Sequence, residues 1–252
     1  MDNSLNFLRN ASNDDLKVLT DIITLDRDGT PRATETLTVM DSYTSNYPHN
    51  IRAFLPDLID ELEHFGGNTF VNIFRGRGVP YHTILRDVAD KLKVDYFSYN
   101  SNEQIEKKIL EKLLQEILDR ASEKELRELL REIGDVPGRA IRDLKNLSPK
   151  DMTAILMGAF KLGGFRSYQL LVIIANSMAK FFLNRGLSLA ANAALTRVAS
   201  IFVGPAGWIT MGVWTVVGDI AGPAYRVTIP AVVQIAHIRE KEHMKKLKIL
   251  SA

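Results

Sequence analysis

The chain has 252 residues, 46% of them hydrophobic and 25% charged, a globular composition sized for one large domain or two modest ones. It contains no cysteine, which excludes disulfides, thiolate catalysis and cysteine-ligated zinc or iron–sulfur sites. Thirty-two Lys and Arg against 30 Asp and Glu leave a formal charge of +2, so the average surface does not suit nucleic acid and no nucleic-acid partner is expected.

The first residues, MDNSLNFLRNASNDDL, carry acids and amides where an export signal needs a basic flank and an apolar run, which predicts a cytoplasmic location. Ser12-Asn13-Asp14-Asp15 places a capping hydroxyl three residues before a carboxylate. Leu16, Leu19, Ile22 and Ile23 then repeat at helical spacing, predicting an amphipathic helix that runs to Asp28-Gly29. Residues 30–50 are rich in Thr, Ser, Asn and Tyr, include Pro31 and Pro48, and read as loop with short helical turns. From Ile51 to Phe65 the apolar residues 51, 54, 55, 58, 59, 62 and 65 form one stripe, with Pro56 marking either a kink or a first turn. Gly66-Gly67 should end that helix.

After Arg75-Gly76-Arg77-Gly78, Pro80 opens a helix whose buried stripe is Ile84, Leu85, Val88 and Leu92. Ser101 to Gln104 resembles a capping box. It precedes a helix with Ile105, Ile109, Leu113, Leu114 and Ile117 inward and Glu106, Lys107, Lys108, Glu111 and Lys112 outward. Ser122 to Glu125 starts another helix, with Leu126, Leu129, Leu130 and Ile133 buried and Gly134 at its end. Ser148-Pro149-Lys150-Asp151 is a further start signal. No alternating β-branched run is long enough to seed a sheet.

The composition then changes. Residues 151–238 hold only eight charges in 88 positions: Lys161, Arg166, Lys180, Arg185, Arg197, Arg226, Asp151 and Asp219. Val198 to Gly218 is an uncharged stretch of 21 residues, long enough for a membrane span but broken by Gly204-Pro205. It reads as a helical hairpin, roughly 187–203 and 207–222, that is either buried in the protein or inserted in a membrane. The last residues carry Arg239, Lys241, Lys245, Lys246 and Lys248, a basic amphipathic tail that would suit an anionic membrane surface or form a solvated terminal helix.

Few residues point to chemistry. Glu61 with His64, and Glu240 with His243, share the Glu-x-x-His spacing of helix-borne metal ligands, although coincidental polar residues account for them better. Arg75-Gly76-Arg77-Gly78 supplies two guanidinium groups and flexible amides for an anion or an acidic partner, but lacks the Gly-Lys-Ser ending of a P-loop. No Gly-x-Ser-x-Gly or His-Glu-x-x-His occurs, so an enzyme is the minority reading.

Several segments together resemble a known family. They are Phe7-Leu8 with Ala11-Ser12-Asn13-Asp14-Asp15-Leu16, Glu61-Leu62-Glu63-His64-Phe65-Gly66-Gly67-Asn68, Arg75-Gly76-Arg77-Gly78 with Tyr81, Ile84, Leu85 and Asp87-Val88, and Ala224-Tyr225-Arg226-Val227-Thr228-Ile229-Pro230-Ala231-Val232 with Gln234-Ile235-Ala236. Over nearly the whole chain they resemble the YaaW family of uncharacterised bacterial proteins, and the AYRVTIPAV element is the most specific. Members are described as similar to the ubiquinol-cytochrome c chaperone, a helical assembly factor. The resemblance therefore implies an all-helical binding or assembly role. Within AYRVTIPAV, Arg226 is a lone cation in an apolar stretch. It is expected to be buried and paired with Asp219 or with an acid of the N-terminal region, and Pro230 is expected to interrupt the helix that Val227 would start.

The sequence thus predicts an all-α multi-helix bundle with an apolar Gly-rich C-terminal helical hairpin. Its parts are a polar amphipathic region 1–135, an apolar region 140–237 and a basic tail 238–252. The expected function is non-enzymatic: binding a membrane or a hydrophobic protein client, or self-association, in the cytoplasm or at the inner membrane. The alternatives are a soluble homo-oligomeric scaffold whose hairpin is core, and a pore-forming or membrane-perturbing protein. No cofactor is expected. Arg75, Gly76, Arg77 and Gly78 are the candidate anion or partner site, Asp219, Tyr225, Arg226 and Pro230 the candidate structural or interface residues, and Glu61 and His64 the remaining metal-ligand candidates.

Overall fold

The structure, a computed structural model, describes residues 3–26, 28–65, 78–134, 146–183 and 224–250. The described residues are helical and contain no strand, only an isolated bridge between Leu25 and Pro31, so the fold is an all-α multi-helix assembly. The chain enters through a 3-10 helix, Asn3–Asn10, that buries Leu5 and Leu8. Helix α1, Asn13–Thr24, follows, with the Ser12 hydroxyl accepting from the Asp15 amide at 3.2 Å.

Helix α1 stops at Thr24, short of the expected Asp28-Gly29. The cause is local. Gly29 takes a φ of +86°, the Asp28 carboxylate accepts from the Thr30 amide and hydroxyl, and the Arg32 amide reaches back to the Thr24 carbonyl, so the chain folds onto the helix end.

Residues 37–54 hold short turns, including α2, Asp41–Thr44. Helix α3, Leu55–Phe65, carries Pro56 in its first turn, so the proline marks the start of the helix and does not kink its interior. Helices α4 (Tyr81–Lys91), α5 (Asn102–Asp119) and α6 (Glu123–Ile133) bury the expected stripes. Helices α7 (Pro149–Leu162) and α8 (Gly164–Leu183) meet at Gly163 and Gly164, both with φ near +75° and with one residue between the helices. A side chain at either position would be strained, which is why two glycines make this corner. Ser101, Ser122 and Ser148 each form a complete capping box, as their spacing predicts.

Helix α9, Tyr225–Leu250, is the axis of the fold. It packs against α8 most extensively and also against α1, α4, α5 and the first 3-10 helix. Residues 227–238 are buried without exception, as are 167–179 of α8. A helix buried on every side needs apolar residues on every side, which explains the low charge of these parts of region 140–237. One apolar core runs from Leu5 to Ile238, shared by the described parts of regions 1–135 and 140–237. No described helix is long and apolar enough to cross a membrane. The candidate hairpin of residues 187–222 lies outside the described residues.

Two further expectations are corrected. Helix α9 continues through Pro230 because the proline is only its sixth residue. The amide that Pro230 lacks would have served the carbonyl of Arg226, and that residue is exposed, so water can satisfy it. Glu106 is buried and does not belong to the solvated side of α5, because the C-terminal half of α9 lies against that face and supplies a cation.

Candidate functional site

Helix α9 organises two groups of polar side chains, a buried seam along its middle and a cleft at its first turn. In the seam, residues on opposite sides of α9 engage different helices. His237 and Lys241, one turn apart, face α1. Lys241 Nζ contacts both Asp15 carboxylate oxygens, at 2.6 and 2.9 Å, and Gln234 donates to the Asp15 carbonyl at 3.0 Å. The His237 ring stacks on Tyr168 of α8 with centroids 5.8 Å apart, and its Nε2 lies 3.4 Å from the tyrosine hydroxyl.

Burial pushes the His237 imidazole down to about 4, with Asp15 partly opposing and Lys241 reinforcing the shift. For Asp15, burial opposes the charge, but His237, Lys241 and the Ser12 hydroxyl outweigh it and hold the carboxyl below its ordinary range. At neutral pH the imidazole is uncharged, so Lys241 is the operative cation.

Arg239 points to the opposite side. Its Nε and Nη2 donate to the two oxygens of Glu106 at 2.8 and 3.0 Å, while the Tyr81 hydroxyl donates to the same carboxylate at 2.9 Å. The guanidinium also lies 3.9 Å from the centre of the Phe7 ring. Burial raises the Glu106 carboxyl, and Arg239 and Tyr81 pull it part of the way back. Burial likewise opposes the charge on Arg239, but its bond to Glu106 more than compensates and raises it. A cavity of about 390 Å³ opens over this pair and reaches Glu103, Glu240 and His243. Arg239 occupies its buried carboxylate, and no group of three or more metal-ligating side chains occurs among the described residues. Arg239 and Lys241 are thus inward ties, whereas Lys245 and Lys246 are exposed.

The cleft lies where α9 begins. About 440 Å³ in volume, it is bounded by the Leu25–Pro31 turn with Arg32, by the end of α3 with Glu61 and His64, and by Ala224, Arg226 and Val227. Arg226 is exposed, which corrects the expectation of a buried arginine: at the first turn of α9 it sits on the rim, where an apolar neighbourhood in sequence does not mean enclosure. It makes no ion pair among the described residues. Asp219 lies outside them.

Arg32 is the more enclosed arginine of this cleft. Its side chain is 11% exposed, and its Nη1 and Nη2 meet the Asp26 carboxylate at 2.6 Å and the Ile22 carbonyl at 3.3 Å. Glu61 is turned away to the Thr36 amide and hydroxyl, at 3.3 and 2.8 Å, and burial raises its carboxyl. His64 Nδ1 lies 2.7 Å from the Asp60 carbonyl, one turn back on its own helix. Glu61 and His64 are thus engaged with different partners, Thr36 and the Asp60 carbonyl.

Arg75, Gly76 and Arg77 lie outside the described residues. Gly78 packs against α3, with the Val79 amide bonded to the Glu63 carbonyl at 2.9 Å. A Cβ at Gly78 would meet the Glu63 backbone at 2.6 Å, so glycine is required there by close approach. Tyr225 is half-buried beneath the Lys91 ammonium, 5.1 Å from its ring centre, and Pro230 is buried in α9. The described ends of two segments singled out in the sequence therefore meet at the cleft, through Glu61, His64 and Phe65 and through Ala224 and Arg226, while Gly78 packs on α3 at Glu63. Sequence reasoning missed Arg32, Asp15, Glu106, His237 and Arg239. Only His237 and Gln234 left a signal, as polar residues in an otherwise apolar buried run that must find partners.

The fold and site define an all-α protein built round one enclosed helix, with a polar seam locking that helix and an arginine-bearing cleft at its start. The chain belongs to the UPF0174 family, which includes YaaW. It is 40% identical to a UPF0174 protein of Helicobacter pylori, over 99% of this chain and 98% of that protein. A second H. pylori UPF0174 protein is 36% identical over 82% of this chain and 97% of its own length. The UPF0174 protein YaaW of Escherichia coli K12 is 31% identical over 94% of each. Residues 1–33 match a family model described as a domain of unknown function, DUF3944; this unit supplies Asp15, Asp26 and Arg32. No solved structure matches the chain.

Proposed function

We propose that the protein is a non-enzymatic helical binding protein that presents residues 184–223 to a membrane or to a hydrophobic protein client, in an assembly-factor or chaperone-like role at the cytoplasmic side of the inner membrane. One observation carries this reading. Helices α8 and α9, which bracket that segment, pack against each other and are buried through 167–179 and 227–238, so the segment is tied to the core at both ends. The segment itself has 40 residues and three charges, Arg185, Arg197 and Asp219, a composition suited to apolar surroundings. The buried carboxylates, His237 and Arg239 are engaged in packing and ion pairs, which favours binding over catalysis.

The test is fractionation of the untagged protein from cells, with carbonate and high-salt washes of the membrane pellet. Retention through both washes is expected if the segment enters the bilayer. Release by salt alone supports peripheral contact or a membrane-bound client. Protein found wholly in the soluble fraction, as a homo-oligomer without a co-purifying partner, would overturn the proposal in favour of a scaffold whose apolar segment is core.

A further inference from the structure

The cavity bounded by α5, α7, α8 and α9 joins an apolar floor to an acidic rim. Its floor is formed by the buried side chains of Leu110, Phe160, Leu171 and Ala236, and its volume of about 390 Å³ admits a small organic molecule. Three carboxylates line it, those of Glu103, Glu106 and Glu240, against two cations, Lys107 and Arg239. Arg239 bonds Glu106 through Nε and Nη2 and reaches Glu103 with Nη1 at 3.4 Å, so one guanidinium serves two carboxylates. Lys107 is held 3.2 Å from the Lys161 carbonyl at the end of α7 and makes no ion pair among the described residues. Glu240 has no cationic partner among them either. The lining therefore carries an excess of negative charge, and the unpaired part of it lies at the half-open rim.

Ser167 is the second, independent observation. It lies in the first turn of α8, is only 9% exposed and lines the same cavity. Its hydroxyl has no hydrogen-bond partner among the described residues. A helical serine ordinarily bonds the carbonyl four residues back, but here that residue is Gly163, whose ψ of −164° turns its carbonyl out of line with α8. The hydroxyl is not sealed in the core, because it opens on the cavity. A nearly buried hydroxyl without a partner, beside carboxylates that the local cations do not balance, suits a ligand that donates hydrogen bonds and carries positive charge.

We propose that this cavity binds a small protonated primary amine with an aliphatic chain, the ammonium donating to Glu103, Glu240 and the Ser167 hydroxyl and the chain lying on the apolar floor. An ammonium has three donors and no acceptor, which matches a set made only of acceptors. A carboxylate or phosphate ligand would meet the negative excess of the rim and is disfavoured. The site goes beyond the binding role of 184–223, because every residue that forms it lies outside that segment.

The experiment uses the full chain at neutral pH and low, constant ionic strength. Hexylamine is titrated with calorimetric and saturation-transfer NMR detection, beside hexan-1-ol, which has the same chain without the charge, and hexanoate, which has the opposite charge. Saturable binding of hexylamine is expected, with the alcohol and the carboxylate much weaker. Glu240→Gln keeps the size of a side chain that has no partner in the fold, and should weaken hexylamine binding about fivefold or more. Ser167→Ala should weaken it about threefold and leave the melting temperature unchanged, because no protein group loses a bond. Glu128→Gln, a control on α6 outside the cavity, should bind as the parent does. Hexylamine binding that falls in Glu240→Gln and not in Glu128→Gln supports the site. Hexan-1-ol binding as tightly as hexylamine would show an apolar pocket without recognition of charge and would overturn the proposal. Absence of hexylamine binding, or equal binding in the parent and Glu240→Gln, overturns it as well. Failure of the membrane washes leaves these outcomes untouched, so the two readings fail separately.

Discussion

His237 is a titratable ring held where a proton is costly. In the folded chain its pKa is pushed down to about 4 by burial, whereas in the unfolded chain it returns to about 6.5. Below about 6.5 the unfolded chain takes up a proton that the folded chain refuses, so stability from this residue is complete above that pH and is lost as pH falls towards 4. The melting temperature should therefore decline across that window, and His237→Phe should flatten the decline; parallel curves for the two proteins would refute the assignment. Arg239 offers a second test. Arg239→Met leaves the Glu106 carboxylate buried without its cation and should cost about 3–5 kcal/mol. Adding Glu106→Gln removes the stranded charge and keeps the Tyr81 contact, so the double variant should show a higher denaturant midpoint than Arg239→Met alone. A double variant no more stable than the single would mean that the charge is not the source of the loss.

Among the elements, junctions decide how neighbouring helices meet. Gly78 lets the chain before α4 lie directly on the last turn of α3, and Gly78→Ala places a methyl group against the Glu63 backbone, which cannot yield as a flexible side chain would. A loss of about 1–3 kcal/mol is expected in equilibrium denaturation, by the logic of overpacking; an unchanged midpoint would show that the junction has room. The helix starts were legible because capping is local chemistry. Ser12, Ser101, Ser122 and Ser148 all bond where their spacing says. The reading of Pro230 as an interruption failed for a positional reason. A proline breaks a helix interior, and α9 starts only five residues earlier, at Tyr225.

For the molecule as described, α9 is the helix that other described helices enclose, buried throughout residues 227–238. It bonds to Asp15 and Glu106 across 226 and 133 residues and fills the centre of the core. Removal of residues 225–252 should therefore abolish cooperative unfolding of the N-terminal helices, as followed by circular dichroism, and not merely shorten the protein. A truncated chain that still melts in one sharp transition would mean that the core closes without α9.

The all-α class, the capped helix starts and the buried stripes of the amphipathic helices were legible in the chain, since period and capping are properties of neighbours three or four residues apart. The sequence also announced the family through AYRVTIPAV. What it could not carry was the pairing of residues that are distant along the chain. Glu106 looked solvated because its own helix places it beside Lys107 and Lys108, and only the packing of α9 makes that face interior. Arg226 looked buried because its neighbours in sequence are apolar, and only its place at the first turn of α9 puts it at the rim beside Arg32. Burial is set by what packs against a face, and that is decided by the tertiary structure.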